Sequence, residues 1–447
     1  MHFFGENLED DDDYEFMNES ILTPRDALRL QNRLESTFAI DKNEIRTEIL
    51  KPYIPKLGPF QTFFTLMKGF IGIAMLLFPN GYYNAGWLFA TISIVFISIL
   101  ILLSMNLLLT VSDENQGSFS SIGEKCLGRP GKIFWDLAIS LTQTGFLWVH
   151  IVFISQNFNG ILNNNFGVTI NKWIIGAMWL AIYAPLTWVR RIQYFAKFHV
   201  FADISVMLAL IVIVVYGVFT VRSNHSFSND VQPINTNHFM VFIGTCVFAF
   251  EGVGIIIPVK DTCNNPDQYR KILILLMTLV AWLLIGFGTF NYFVYGSENL
   301  KDAKLITRLL PHDFILQIVE TLFILNLFIS YPLVLHPANV IIESYIYHGM
   351  SQSLMRKWLK NINRTALVAF TLFMGLYFEE TLDRLMSLVG SLCLTPIAFI
   401  LPAYFHYRLC AKTCLAKLLD LFIIMIGSFL MFFITGFTII TWNQAEV

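Results

Sequence analysis

Glu251 is the residue whose type and setting point most directly to chemistry. It is the only charged residue in the run 239–258, Phe-Met-Val-Phe-Ile-Gly-Thr-Cys-Val-Phe-Ala-Phe-Glu-Gly-Val-Gly-Ile-Ile-Ile-Pro. That run is long enough to cross a bilayer. A charged side chain at its centre costs about 2.5–3.5 kcal/mol on insertion scales, and such residues mark ion or substrate paths. Gly252 and Gly254 weaken the helix beside it, and Pro258 is expected to close it. A second lone charge, Lys68, stands in a matching setting with Gly69, Gly72 and Pro79. An unwound turn in lipid frees backbone N–H and C=O groups that lipid cannot satisfy, but a ligand can. The N–H groups opening the half-helix after Gly72 suit a carboxylate. The carbonyls near Gly252 to Gly254, helped by Glu251, suit an ammonium. Carboxylate at one break and amine at the other describe an amino acid. The candidate substrate-binding residues are therefore Gly69, Phe70, Ile71, Gly72, Ile73 and Ala74 on the first break. On the second they are Phe248, Phe250, Glu251 and Gly252.

Glu251, Asp203 and Lys68 are the candidates for proton coupling or gating. Asp203 could pair with Lys68, carry protons or make a structural hydrogen bond. Gln143 and Thr144, and Asn326 and Ser330, are candidates for a secondary pocket. Interhelical hydrogen bonding is the plainer role for any one of them. His336-Pro337 reads as a helix distortion. No nucleotide loop, metal-ligand cluster or nucleophile constellation is visible. This argues against an ATP-driven pump, an embedded enzyme, a cofactor, a metal centre or a nucleic-acid partner.

The elements that must hold these residues are membrane helices. Hydrophobic residues make up 55% of the 447 and charged ones only 14%, against about 25% charged in soluble domains. The apolar runs fall into about eleven spans near 60–80, 86–111, 131–162, 172–189, 195–220, 239–258, 271–295, 311–345, 363–378, 385–405 and 418–441. Their length excludes the short alternating strands of a membrane barrel. Pro79 and Pro258 stand 179 residues apart, and the long third and eighth spans start at a similar offset. Spans one to five (about 60–220) and six to ten (about 239–405) thus read as two copies of one unit, with an extra helix near 418–441. Five crossings per unit turn the second copy upside down, and broken helices at matching places point to a midplane binding site.

Connections after even-numbered spans carry Lys125, Arg129, Lys132, Arg190, Arg191, Lys197, Lys260, Arg270, Lys271, Arg356, Lys357, Lys360, Arg364, Arg408, Lys412 and Lys417. Connections after odd-numbered spans carry Lys172, Arg222, Lys301, Lys304, Arg308 and Arg384. Sixteen against six predicts a cytosolic N-terminus and a lumenal or extracellular C-terminus. Of the sequons beginning at Asn18, Asn224 and Asn363, only Asn224 then lies outside the cytosol. Cys126, Cys263, Cys410 and Cys414 fall in cytosolic connections, and Cys246 and Cys393 lie in spans, so no structural disulfide is expected. Residues 1–57 are a different material, an acidic arm. Its first twenty residues hold eight acids and no Lys or Arg, a composition of disorder and not of a signal peptide. Thr23-Pro24 reads as a helix start, and Leu28, Leu30, Leu34 and Phe38 as one side of a short cytosolic helix.

These residues resemble the amino acid/auxin permease family, closest to the vacuolar amino acid exporters of fungi and plants and to animal proton-coupled amino acid transporters. The marks are Lys68-Gly-Phe-Ile-Gly72 through Phe78-Pro79, Asn84-Ala-Gly-Trp87, Phe201-Ala-Asp203, and Phe248-Ala-Phe-Glu251-Gly-Val-Gly254 with Pro258. Further marks are Tyr331-Pro332, His336-Pro337 with Glu343, and Leu388-Val-Gly390-Ser391 through Leu401-Pro402-Ala403 to His406. The resemblance implies an all-α, LeuT-like polytopic fold of eleven helices with a five-plus-five inverted repeat. It also implies alternating access and proton-linked movement of small neutral amino acids at a vacuolar, lysosomal or plasma membrane. The family's Gly-Thr-Gly in the first span is Gly72-Ile73-Ala74 here. Two other readings remain open, a transporter-like sensor signalling through its arm and a sodium-coupled transporter.

Overall fold

The chain is described here from a computed structural model, over residues 57–115, 119–189, 196–236, 239–303, 305–311, 313–351 and 353–442. The side chains of residues 119, 196–199, 251 and 302 lie outside that description, and so do the acidic arm and its expected helix.

The described residues are almost entirely helical. The first span is two pieces, α1 (Pro59–Met67) and α2 (Ala74–Ala85), separated by the glycine-bearing turn 68–73. Next come α3 (Trp87–Asn115), a short amphipathic α4 (Phe119–Leu127), the long α5 (Arg129–Phe166), α6 (Lys172–Trp188) and α7 (Ala196–Asn224). The sixth span is again two pieces, α8 (Phe239–Phe248) and α9 (Ile256–Thr262), joined by a 3-10 turn over Glu251–Ile255. Then follow α10 (Pro266–Asp302), interrupted where Gly296 takes a left-handed φ of 73°, α11 (Phe314–Ile346) and α12 (Leu354–Tyr377). The last elements are α13 (Leu382–Leu388), α14 (Leu401–Leu409), α15 (Cys414–Phe429) and α16 (Thr435–Ile440). Asp313 caps α11, accepting from the Leu316 N–H at 2.9 Å. The Tyr216 hydroxyl, with that N–H, holds its carboxyl below the usual carboxylate range.

Between α13 and α14 the chain runs as π-helix through Val389–Leu394 and Pro396–Ile400. Proline at 396 and 402 removes N–H donors from the ordinary ladder, and the Thr395 hydroxyl donates to the Gly390 carbonyl at 3.0 Å. The widened turn brings Gly390 so close to α8 that any Cβ there would collide with the Gly244 carbonyl oxygen. Only glycine allows two backbones to approach this way.

Pro79 and Pro258 do not close their helices. Pro79 lies inside α2, and Pro258 is the third residue of α9, where a first-turn N–H has no partner to lose. The breaks lie before the prolines, at the glycines.

The packing places the two broken helices at the centre. α2 and α1 pack on α10, and α8 packs on α13 and α2. α11 packs on α5 and α7, and α12 on α6 and α5. A two-bond bridge pairs Leu57 with residues 262–264, so α1 starts where α9 ends. Apolar residues spaced three or four apart stay exposed along outer faces, as with Leu88, Ile92, Phe96, Ile99 and Leu103 on α3. Such stripes are the lipid-facing sides of membrane helices.

Eight helical segments, not eleven, are long and apolar enough to cross a membrane among the described residues. Three expected spans fall short for separate reasons. The first is split into pieces of 9 and 12 residues. α6 has 17 residues. α12 carries Arg356, Lys357, Lys360 and Arg364 in its first half.

Candidate functional site

The two breaks touch. A Cβ on Gly69 would stand 3.0 Å from the Gly252 Cα, and one on Gly252 would stand 2.5 Å from the Phe70 ring. Glycine at both positions lets backbone meet backbone, and Phe70, Phe248 and Phe250 fill the surroundings, all buried. Ile71, Ile73 and Ala74 are buried as well, with Gly72 partly open. Within the first break, the Phe70 and Ile71 N–H groups both donate to the Met67 carbonyl at 3.0 Å. No backbone bond among the described residues comes from the N–H of Gly72 or Ile73. These are the donors that the sequence offers to a carboxylate, at the start of α2. The second break begins at Phe250 (φ −103°, ψ 46°) and runs through Glu251, whose side chain is outside the described set. Gln143 on α5 reaches this turn, its Nε2 lying 3.0 Å from where a Gly254 Cβ would stand.

Lys68 sits at the first break and points into the bundle. Its Nζ lies 3.3 Å from Asp203 Oδ1 on α7, with side chains 9% and 4% exposed. It also donates to Asn326 Oδ1 on α11. Asn326 in turn donates to the Ala202 carbonyl at 3.2 Å, and the Ser330 hydroxyl donates to the Asn326 backbone carbonyl at 2.7 Å. Lys68, Asp203, Asn326 and Ser330 thus form one buried polar group joining the first break to α7 and α11. Thr144 is buried but bonds within its own helix, donating to Ser140 at 2.9 Å. Asn224 is the exposed last residue of α7.

Several polar groups were not legible in the sequence. Glu343 on α11 takes the Arg364 Nε at 2.6 Å and Lys360 at 3.5 Å, all three buried, and Arg364 also donates to the Thr187 carbonyl that ends α6. Lys360 and Arg364 are therefore internal ion-pair partners and not loop charges, which leaves fourteen basic residues against six for the orientation argument. Asp113 at the end of α3 pairs with Lys260 on α9 and with Arg270 at 2.8 Å on α10. Asp136 on α5 accepts from Ser120 and, at 2.7 Å, from Tyr345. Asp420 on α15 meets His406 on α14 at 2.8 Å. These partners lie between 14 and 209 residues apart in sequence, so only the fold pairs them.

Over 392 residues the chain is 29% identical to the vacuolar amino acid transporter 3 of Saccharomyces cerevisiae, which covers 85% of this chain and 56% of that protein. It is 26% identical to the protein of the same name in Schizosaccharomyces pombe, covering 98% of this chain and 66% of that one. Against the Arabidopsis thaliana amino acid transporter AVT3A the identity is 26%, over 88% of this chain and 92% of that one. The chain thus spans a little over half to about two thirds of the length of these fungal relatives. Among solved structures, Mhp1 superposes with a TM-score of 0.51 at 14% identity, over 89% of this chain and 97% of that one. Mhp1 is a nucleobase-cation-symport-1 family transporter, seen there in a closed conformation with bromovinylhydantoin bound. This likeness gives the fold, an all-helical, LeuT-like inverted repeat. The family model for transmembrane amino acid transporter proteins matches residues 55–440, and the chain, an integral multi-pass membrane protein, belongs to that family.

Proposed function

We propose that this chain is a secondary transporter that moves small neutral amino acids by alternating access, coupled to protons. The observation that carries the reading is the meeting of two broken helices at Gly69 and Gly252, with the buried Lys68–Asp203 pair alongside. In this conformation the breaks are in contact, so a substrate must part them. Such a movement alternates which side the site faces. The substrate carboxylate is assigned to the N–H groups of Gly72 to Ala74 and the ammonium to the unwound turn at Glu251. The names of the yeast, fission yeast and plant relatives support amino acids as the substrate class and a vacuolar or lysosomal-type membrane as one setting. The structural neighbour's name carries a cation symport, and sodium as the coupling ion is the second reading. Against it, the Lys68 ammonium already supplies a cation to Asp203 and Asn326, and a second one beside it meets like-charge repulsion.

Purified protein in liposomes tests this with labelled amino acids under an imposed pH gradient, with and without sodium. Accumulation that a protonophore collapses and sodium removal leaves intact is expected. Binding without accumulation would make the chain a sensor, and strict sodium dependence would establish the second reading. Glu251→Gln removes a titrating proton while keeping the side chain's shape. It is expected to keep exchange of internal for external amino acid and to lose gradient-driven accumulation. Full accumulation by this variant would remove Glu251 from the coupling.

The cytosolic placement of the N-terminus is tested by labelling single cysteines with an impermeant reagent. Asn229 and Ser351 are both exposed, in connections that the spans place on opposite sides. A cysteine at 229 is expected to react from the lumenal or outer side and one at 351 from the cytosol. The reverse pattern would invert the topology.

A further inference from the structure

A cavity of about 670 Å³ lies away from the two breaks, where three connections after odd-numbered spans converge. Its lining combines Gln156 from α5, Lys172 and Trp173 from the start of α6, Arg308 from the connection before α11, and Glu379 and Glu380 before α13. The charges are of both signs and face one space. Lys172 and Glu379 stand 3.9 Å apart, with side chains 34% and 16% exposed. At that separation the two groups make no direct hydrogen bond, and both border the same cavity. Gln156 braces the two sides. Its Oε1 accepts from the Arg308 guanidinium at 3.1 Å, and its Nε2 donates to the Glu379 backbone carbonyl at 2.7 Å. The brace uses the backbone of Glu379 and leaves its carboxylate facing Lys172.

The geometry points to this cavity as a second, outer subsite for a zwitterion, the α-carboxylate held by Arg308 and Lys172 and the α-ammonium by Glu379 and Glu380. A free anion would meet two carboxylates there, and a free amine would meet two cations. A molecule carrying both charges a few bonds apart can meet both pairs at once. The volume leaves space for a neutral side chain against Trp173. This subsite deepens the transport reading, and rests on it for its role as a waiting position on the lumenal or outer side. Residues of four chain segments build it, so it also couples α5 and α6 to the α12–α13 connection.

Trp173 lines the cavity, so its fluorescence reports occupancy independently of transport. The purified 447-residue chain is titrated with L-leucine and L-alanine, and the signal is read as the part lost in Trp173→Phe. A saturable change is expected, weakened by about tenfold in both Arg308→Gln and Glu379→Gln because each removes one charge-assisted contact. Isoamylamine, which lacks the carboxylate of leucine, and 4-methylvalerate, which lacks its ammonium, are expected to leave the signal unchanged. Circular dichroism and size-exclusion profiles of the variants are expected to match wild type, since Arg308 is exposed and the brace to Glu379 runs through its backbone carbonyl. No Trp173 change with any amino acid, or equal responses to the amine or acid alone, overturns the subsite even where uptake is intact. A saturable Trp173 change without uptake leaves the subsite standing and overturns the transport reading alone.

Discussion

Lys68→Ala is expected to abolish transport and sharply reduce the folded protein recovered in detergent. It leaves Asp203, a 4% exposed carboxylate, without its described cation, and it removes the donor from Asn326. Breaking a buried pair from one side costs about 3–5 kcal/mol. Replacing both partners with apolar groups is often neutral, so Lys68→Met with Asp203→Leu is expected to recover the folded protein. Transport is not expected to return, because the pair ties the first break to α7 and α11, and the proposed alternating access has to change that contact. Size-exclusion chromatography reads the first effect and liposome uptake the second. Wild-type uptake by the double variant would show that the pair only holds the structure together.

A stability effect of similar size is expected at Arg364, well away from the breaks. Its guanidinium joins Glu343 on α11 to the carbonyl that ends α6, and its side chain is 4% exposed. Arg364→Ala leaves one cation, Lys360 at 3.5 Å, on a carboxylate that had two. The two buried hydrogen bonds of the guanidinium are lost together, each worth about 1.5–3 kcal/mol, a total of about 3–5 kcal/mol seen as a lower midpoint of thermal unfolding. Arg364→Lys is expected to recover only part of it, since an ammonium does not reproduce the planar fork that reaches both acceptors. The protein that does fold is expected to transport with unchanged substrate preference. A thermal midpoint equal to wild type in Arg364→Ala would contradict the triad's role.

The contrast between these two positions shows what a sequence discloses here. Lys68 and the turn beside Glu251 stood out because a lone charge next to glycines in an apolar run is locally anomalous. The breaks at 68–73 and 249–255 follow from that local chemistry. The prolines were less informative, since Pro79 sits within α2 and Pro258 in the first turn of α9. Arg364 read as a loop charge because its partner Glu343 lies on another helix, 21 residues away. Asp136 and Asp113 escaped notice for the same reason. The π-helical turns at 389–400 shift the helical period by only a residue or so and leave no pattern to detect. The outer cavity is built from separate connections, and none of its charges is unusual in its own segment. Eleven apolar runs were visible, but hydropathy does not register that the first is folded as two short pieces.

A structure determined with a saturating neutral amino acid is expected to show the carboxylate against the N–H groups of Gly72 and Ile73, the ammonium at the turn beginning at Phe250, and the breaks at Gly69 and Gly252 moved apart. An amino acid bound only elsewhere, with those glycines still in contact, would mean that the two breaks do not form the substrate site.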